Sequence, residues 1–185
     1  MTKYCIFDLE TTGKNTKGKD DVIELLAMTV DETGKEIEPR WGSLFNPNVP
    51  IVPFIANLTG ICMEDVKESP EFCDKMLEIR EYFEGKVAVA YNGEAFDFPF
   101  LKNEFEKNGF EIIFFDTYDP YKEVRATFKT LKDKKLVTVC DSLGIPFAEL
   151  HRAEADAVLT KFLTYYLKFN LNLNENVEFQ KYLEE

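Results

Sequence analysis

Short apolar runs and longer stretches with helical apolar spacing follow one another along this chain of 185 residues. Residues 4–7 are apolar and rich in β-prone side chains, which predicts a buried strand. Residues 22–30 and 35–45 predict two more strands, because a turn-forming Asp-Glu-Thr-Gly segment separates them. We therefore expect the chain to open with an antiparallel meander of three strands.

Strands and helices alternate in the rest of the chain. Residues 87–91 form a continuous apolar run, as expected for a central strand covered on both faces. Residues 112–115 predict another short strand. This order indicates an α/β domain built of packed layers. Helical spacing, caps and chain breakers predict helices near residues 54–58, from Met63, from Ser69-Pro70, and over residues 98–108, 120–128, 131–143 and 152–169.

The length of the chain allows one complete hydrophobic core. No linker or internal repeat divides it, so we expect one domain over residues 1–169 and a short C-terminal tail over residues 170–185, ending in a short helix. No apolar run reaches membrane length, no secretory signal precedes the first strand, and the four cysteines are scattered. These features predict a cytoplasmic protein in a reducing compartment.

The formal net charge of −12 argues against broad, nonspecific binding to duplex nucleic acid, because phosphate contacts need lysine and arginine. An enzyme that holds only the last nucleotides of a strand through metal ions is compatible with this charge. Two groups of basic residues could guide a phosphate backbone, although each single lysine is ordinarily solvated surface. They are Lys14, Lys17 and Lys19, and a second group of Lys122, Arg125, Lys129, Lys132, Lys134 and Lys135.

Asp8 and Glu10 follow directly on the first predicted strand. Successive side chains on a strand point to opposite faces, so these two carboxylates share one face. They repel each other there, and a divalent cation would relieve the repulsion and use both groups as ligands. The alternative is that polar residues simply terminate the strand.

Two later stretches carry further candidates. Asp97 comes just before a predicted helix, where an aspartate is either a helix cap or a carboxylate beside a metal. His151, the only histidine, lies five residues before Asp156. On one straight helix their side chains would diverge by about 140°, which places His151 in the preceding loop, above a site lined by Asp156. Glu24 and Asp119 are interpreted as structural.

Together these stretches resemble the DEDDh family of 3′→5′ exonucleases, which includes the proofreading epsilon subunit of bacterial DNA polymerase III. The motifs are Phe-Asp-Leu-Glu-Thr-Thr-Gly at residues 7–13, Tyr-Asn-Gly-Glu-Ala-Phe-Asp at residues 91–97 and His-Arg-Ala-Glu-Ala-Asp-Ala at residues 151–157. Tyr91 replaces a histidine frequent in the family, with one extra residue before the motif's aspartate. This form resembles a variant within the same superfamily, so it does not indicate lost activity.

The resemblance implies a ribonuclease H-like α/β fold, with a mixed five-stranded sheet flanked by helices. It also implies two divalent metal ions, Mg²⁺ or Mn²⁺, with Asp8 shared between them, Glu10 and Asp156 completing the first site, and Asp97 holding the second. His151 would be the general base that deprotonates the attacking water. The expected activity is 3′→5′ hydrolysis of DNA ends that releases nucleoside 5′-monophosphates, in replication or repair.

Substrate contacts are expected next to these motifs. Thr59 lies in a Leu-Thr-Gly-Ile segment that resembles the family's nucleotide-contacting segment, with threonine where epsilon-like proteins often have histidine. Phe96 could wedge against a base, although most of the 17 phenylalanines belong in the core. Expected partners are single-stranded or frayed nucleic-acid 3′ ends, a DNA polymerase as a candidate protein partner, and no membrane. The full set of predicted substrate-binding residues is Thr11, Thr12, Thr59, Asn92 and Phe96.

Other activities are compatible with the same residues. An RNA-trimming exonuclease or oligoribonucleotide phosphodiesterase would use the same site, because recognition of the 2′-hydroxyl depends on pocket shape. A noncatalytic, polymerase-associated nucleic-acid-binding module would gain nothing from four converging carboxylates. An aspartyl-phosphate phosphatase would need an aspartate at the position of Glu10.

Overall fold

The computed structural model describes residues 1–146 and 152–184, which form a five-stranded sheet covered by helices on both faces. The strands lie in the order β3-β2-β1-β4-β5. β2 is antiparallel to β1 and β3, whereas β1, β4 and β5 run parallel. The predicted mixed sheet is therefore confirmed. Its strands are β1 (Tyr4–Thr11), β2 (Val22–Val30), β3 (Trp41–Leu44), β4 (Val87–Val89) and β5 (Asp116–Tyr118).

Eight α-helices connect and cover the strands in the described part of the chain. None of them is both long enough and apolar enough to cross a lipid bilayer. They are α1 (Pro53–Thr59), α2 (Met63–Val66), α3 (Phe72–Phe83), α4 (Asp97–Lys107), α5 (Pro120–Thr127), α6 (Leu136–Ser142), α7 (Ala153–Lys168) and α8 (Val177–Glu184).

The central strand β1 is apolar on both faces of the sheet, because alternate side chains point to opposite sides. Phe7 and Leu9 pack with α3 and α4, and the Phe7 ring lies 4.9 Å from the ring of Phe83. On the other face Tyr4 and Ile6 pack with α7. The sheet therefore separates two apolar layers, and the second layer is the one that positions α7.

The third strand is shorter than predicted. Of the predicted range 35–45, only Trp41–Leu44 pairs with β2 as a strand. Before it the chain makes one isolated bridge, between Val30 and Glu36. Pro39 has no backbone N–H to donate to a ladder, which limits the strand on that side.

The last strand lies further along the chain than predicted. The prediction of a strand over residues 112–115 is wrong, because β5 begins at Asp116, where the parallel register pairs it with Val87. Of the apolar residues before it, Ile112 is buried in the core and Phe114 packs against the core, whereas Ile113 and Phe115 are exposed. β4 also ends earlier than the predicted range 87–91.

Two helices start later than predicted. α3 begins at Phe72 and not at the Ser69-Pro70 pair. Its cap is Glu71, whose backbone N–H donates to the carboxylate of Asp74 at 3.1 Å in a reciprocal capping arrangement. The predicted helix over residues 131–143 is reduced to α6, because its first residues form turns and irregular backbone.

The C-terminal segment folds back onto α7. The backbone turns at Asn170, which has a positive φ of 52°. Phe179 of α8 is buried, and its ring lies 5.0 Å from that of Phe162. The Tyr182 hydroxyl donates to the carbonyl oxygen of Pro146 at 2.7 Å. The division between domain and tail near residue 169 stays a prediction.

Candidate active site

Three carboxylates converge at the carboxyl end of β1. Asp8, Glu10 and Asp156 each place an oxygen within 4.8 Å of the other two. Asp8 and Glu10 occupy the face of β1 that packs with α7, whereas Asp156 belongs to the first turn of α7. The structure therefore brings together three residues that the sequence analysis assigned to one site.

The start of α7 lies close to the sheet because small residues face it. Ala153 and Ala157 are fully buried, and Ala157 belongs to the apolar layer on the α7 side of β1. A methyl side chain at these positions lets the helix backbone approach the strand in a close-packed interior. The first turn of α7 thus reaches the end of β1, where Asp156 adjoins Asp8.

Glu24 of β2 fixes the first residues of α7. It lies directly across from Glu10 in the β1–β2 register. Its carboxylate accepts hydrogen bonds from Arg152 Nη2 at 2.9 Å and Nε at 3.3 Å, and from the backbone N–H of Ala153 at 3.0 Å. Glu24 therefore satisfies a free N–H at the helix start and ties α7 to the sheet. Sequence reasoning assigned it no functional role.

A second set of ion pairs holds α7 to the segment before β3. Arg40 pairs with Glu154 at 2.5 Å and with Glu36 at 2.8 Å, and the buried Lys161 also reaches Glu36 at 2.8 Å. The hydrogen bonds from Arg40, together with Lys161, lower the pKa of Glu36 to about 2. Because Glu36 and Lys161 are largely shielded from water, this network restrains the helix more than an exposed pair would.

Asp97 borders the three-carboxylate cluster. It is the first residue of α4 and is buried. Burial raises its pKa to about 7, and the charge of Asp119 adds to this effect, while hydrogen bonds from the backbone N–H groups of Leu9 and of Asp97 itself oppose it. Its negative charge in turn raises the pKa of Asp8, which places the two carboxylates in one electrostatic unit.

Burial and mutual repulsion disfavour the ionised forms of the clustered acids. Burial, together with the charges of Asp156 and Glu24, raises the pKa of Glu10 to about 8. Burial, followed by the charge of Asp97, raises the pKa of Asp8 well above its usual range. A divalent cation would reverse this balance by favouring the ionised forms.

The donor set fits a hard divalent cation. The ligand atoms of Asp8, Glu10 and Asp156 are all carboxylate oxygens, which suit Mg²⁺ or Mn²⁺. No histidine or cysteine contributes to this cluster within the described ranges. The cluster of converging acids with raised pKa values is therefore a candidate site for such an ion.

Asp119 organises the loop that leads to Asp97. It is buried at the end of β5 and caps α5 by accepting the backbone N–H of Tyr121 at 3.0 Å. The same carboxylate accepts the N–H groups of Asn92 at 2.8 Å and Glu94 at 3.2 Å. Asn92 has a positive φ of 58°. The Asp119-Pro120 pair is a helix-start signal in the sequence. The role of Asp119 in holding the 92–97 loop was not predicted.

The threonines predicted to contact substrate use their hydroxyl groups in hydrogen bonds within the protein. The Thr11 hydroxyl donates to the carbonyl oxygen of Gly13 at 2.6 Å. Thr12 Oγ1 accepts the backbone N–H of Asp21 at 2.9 Å. Thr59 is buried at the end of α1, where its hydroxyl donates to the carbonyl oxygen of Ile55 at 3.0 Å. Their contacts with a nucleotide stay predictions.

Two further residues, Phe96 and His151, were predicted for the site, and only Phe96 lies within the described residues. Phe96 is half-buried just before α4, and its ring lies 5.4 Å from that of Phe100 against the core. A wedge role for Phe96 therefore stays a prediction. His151 lies outside the described residues, which resume at Arg152.

Comparison with known proteins identifies relatives of this chain. The family model RNase_T, described as exonuclease, matches residues 5–163. The chain is 34% identical over 160 residues to a PolC-type DNA polymerase III of Bacillus cereus, covering 86% of this chain and 11% of that protein. It is 32% identical over 158 residues to the 3′-5′ exonuclease DinG of Bacillus subtilis, covering 85% of this chain and 17% of that protein. The chain thus spans under a fifth of the length of these relatives.

Solved structures of exonuclease I share the fold. One matches with a TM-score of 0.82 and 18% identity, covering 100% of this chain and 43% of that chain. A complex of Escherichia coli exonuclease I with a dT13 oligonucleotide matches with a TM-score of 0.82 and 18% identity, covering 91% of this chain and 41% of that chain. These matches confirm the ribonuclease H-like fold.

Proposed function

The chain belongs to the RNase_T exonuclease family, and on that premise we propose that it is a metal-dependent 3′→5′ exonuclease that releases nucleoside 5′-monophosphates from DNA 3′ ends. The observation that carries the proposal is the convergence of the Asp8, Glu10 and Asp156 oxygens within 4.8 Å, with the buried Asp97 beside them. In a purely structural module this repulsion would only destabilise the fold, whereas in a metal site the same clustered charges bind the cation.

The clustered acids would bind the metal and orient the substrate. Asp8, Glu10 and Asp156 would hold one ion, and Asp8 and Asp97 would hold a second. Bound Mg²⁺ or Mn²⁺ supplies charge neutralisation at the scissile phosphate and assistance to the leaving 3′-oxygen. Glu24 supports this role by fixing the helix start that carries Asp156.

His151 is the proposed general base. A neutral imidazole accepts a proton from water near physiological pH, since its ordinary pKa is about 6.5. The next residue in the chain, Arg152, is held by Glu24, which supports a base supplied at the start of α7. His151 would take the proton of the attacking water as the bond to the leaving 3′-oxygen breaks.

The proposed substrate is the 3′ end of a single strand. The similar protein DinG of Bacillus subtilis is named a 3′-5′ exonuclease. Escherichia coli exonuclease I, which shares the fold, has been solved in complex with a dT13 oligonucleotide. Thr11, Thr12 and Thr59 would contact the terminal nucleoside, together with Asn92 and Phe96. Hydrogen bonds within the protein restrain the loops of Thr11, Thr12 and Asn92, and hold the Thr59 side chain at the end of α1.

Digestion of a 5′-labelled single-stranded DNA tests the proposal. With Mg²⁺ or Mn²⁺ present we expect shortening by single nucleotides from the 3′ end, and no shortening when that end is blocked. An RNA strand of the same sequence, run in parallel, distinguishes DNA from RNA preference. Internal cleavage, or digestion that proceeds without a divalent metal, would contradict the proposal.

A further inference from the structure

One exposed segment of this acidic chain is strongly basic. We define the basic strip as residues 122–135, which contain six basic and two acidic residues in a chain of net charge −12. The basic residues are Lys122, Arg125, Lys129, Lys132, Lys134 and Lys135.

The basic strip lies at the same edge of the sheet as the carboxylates. β1, β4 and β5 are parallel, so their carboxyl ends meet at one edge. Asp8 and Glu10 end β1, Asp97 follows β4, and α5 with the basic strip follows β5. Asp119 joins these parts directly, because it caps α5 and also binds the backbone N–H of Asn92.

Tyr91 holds the far part of the basic strip against the loop that carries Asp97. Its hydroxyl donates to the carbonyl oxygen of Lys134 at 2.5 Å, and its ring packs edge-on against Tyr121 at 5.6 Å. Beneath the strip, Val124 and Val139 are buried in an apolar cluster. The backbone of the strip is therefore anchored, while all of its basic side chains except that of Lys134, which donates to the carbonyl oxygen of Leu131, are exposed.

Most basic side chains of the strip form no ion pair with a described residue. Arg125, Lys129, Lys132 and Lys135 are exposed and appear in no such pair. Lys132 and Lys135 act on Asp133 from a greater distance, and their charges contribute to lowering its pKa. Between α5 and the Asn92 loop, an open groove of about 540 Å³ is lined by Arg125 and by Lys122, which pairs with Glu94. Exposed cations beside such a groove can attract an anionic strand even in a chain of negative net charge.

The proposed contact of Thr59 with the terminal nucleoside also implies a direction for the strand. α1, with Thr59, lies on the β2 side of the carboxylates, since Ile55 and Ile61 pack with Ile23 of β2. A strand held at its scissile phosphate, with its terminal nucleoside towards α1, extends its 5′ portion towards the opposite side. β4, β5 and the basic strip occupy that side.

We infer that the basic strip binds the phosphate backbone of single-stranded nucleic acid on the 5′ side of the scissile bond. This inference rests on the proposed function for the placement of the scissile phosphate. The planar guanidinium of Arg125 suits a phosphate at the groove, and the lysines that follow suit successive phosphates as point charges. The strip thereby favours strands over isolated nucleotides as substrates.

A charge-matched pair of triple variants tests the inference. The strip variant carries Arg125→Gln, Lys129→Gln and Lys132→Gln. The control variant carries Arg80→Gln, Lys35→Gln and Lys102→Gln, which removes the same charges from exposed side chains of other elements. Both Arg80 and Arg125 lie in the last turn of a helix, so their loss affects the helix ends similarly.

Two measurements are made on the wild type and both variants. Binding of a fluorescent single-stranded DNA is followed by anisotropy without divalent metal over a range of salt, and hydrolysis of the p-nitrophenyl ester of thymidine 5′-monophosphate is followed with Mn²⁺. Three lost phosphate contacts should weaken binding by the strip variant about 10-fold or more at low salt and flatten its log–log salt slope by about 2. Its hydrolysis of the small ester should match that of the wild type.

Each contrary outcome has a distinct meaning. Equal binding by the strip and control variants would overturn the inference, and so would loss of small-ester hydrolysis confined to the strip variant. If the wild type hydrolyses neither the ester nor DNA, the proposed function fails, while the binding comparison still tests the strip.

Discussion

The Glu24 carboxylate accepts two hydrogen bonds from the Arg152 guanidinium, at 2.9 and 3.3 Å, and so joins β2 to the start of α7. Glu24 also faces Glu10 across the sheet. Glu24 thus helps to set the position of α7 relative to β1, and with it the approach of Asp156 to Asp8. Its contribution to catalysis would be to position other groups, not to contact the substrate.

Glu24→Gln should lower kcat with little change in KM. Glutamine keeps an acceptor for the Ala153 N–H but loses the charge that holds Arg152, so we expect a loss of about 10- to 100-fold, as for other outer-shell partners. Steady-state kinetics on single-stranded DNA measures both constants. Glu78→Gln, which breaks the Lys75–Glu78 pair on α3, is the matched control. Equal activity of the two variants would remove Glu24 from the positioning role.

The metal-free protein should lose stability as the pH rises. Glu10 and Asp97 have pKa values of about 8 and about 7 in the folded protein, above their ordinary values of 4.5 and 3.8. The folded state therefore keeps protons that the unfolded chain has released, and the free energy of unfolding falls between pH 3.8 and about pH 8.

Thermal melts across that window in chelator measure the effect. Glu10→Gln should flatten the pH dependence and raise the metal-free melting temperature at the alkaline end, because one buried charge is gone. Glu106→Gln, an exposed change on α4, should leave the wild-type profile intact. A melting temperature that is constant or rises with pH in the wild type would contradict the electrostatic description of the cluster.

His151→Asn should remove the acid limb of the pH–rate profile. At saturating metal, which keeps the clustered carboxylates ionised, kcat/KM of the wild type should fall below a pKa near that of imidazole, about 6.5, because the protonated base cannot accept a proton. Loss of the base should cost about 10²- to 10⁴-fold in rate. The chain has one histidine, so no other imidazole can produce this limb. An unchanged profile in the variant would assign the base elsewhere.

Divalent metal should raise the melting temperature through the clustered carboxylates. Binding to the folded state alone stabilises it by about 2.7 kcal/mol when the ion is present at 100 times its Kd. We expect a clear upward shift with Mn²⁺ in the wild type and in Asp141→Asn, which changes an exposed residue of α6. Asp8→Asn should show little shift. The same shift in all three proteins would place the metal elsewhere.

The sequence predicted those parts of the fold that local pattern determines. Residues 22–30 were predicted and observed as β2, because an apolar run bounded by turns is a local signal. β5 was displaced because it begins at Asp116, a residue type depleted in strands, whereas the apolar run that predicts a strand lies just before it. Residues 116–118 form a strand through pairing with β4, which is a property of the assembled sheet.

The candidate site was likewise predicted where local motifs determine it and missed where long-range contacts do. Asp8, Glu10 and Asp156 were assigned to one site from their motifs, and the structure brings their oxygens together. Glu24 and Asp119 were missed as supporting residues. Their roles consist of hydrogen bonds to backbone groups far away in the sequence, and no local pattern specifies such partners.

Release of nucleoside 5′-monophosphate from single-stranded DNA, measured as Mn²⁺ is titrated, tests the central claim most directly. The wild type and Asp141→Asn should both release mononucleotides only when the ion is present. Asp8→Asn should be slower by more than about 100-fold, since loss of a direct ligand exceeds the effect of losing an outer-shell partner. Near-normal release by Asp8→Asn, or release without any divalent ion, would contradict the claim that these carboxylates form the catalytic metal site.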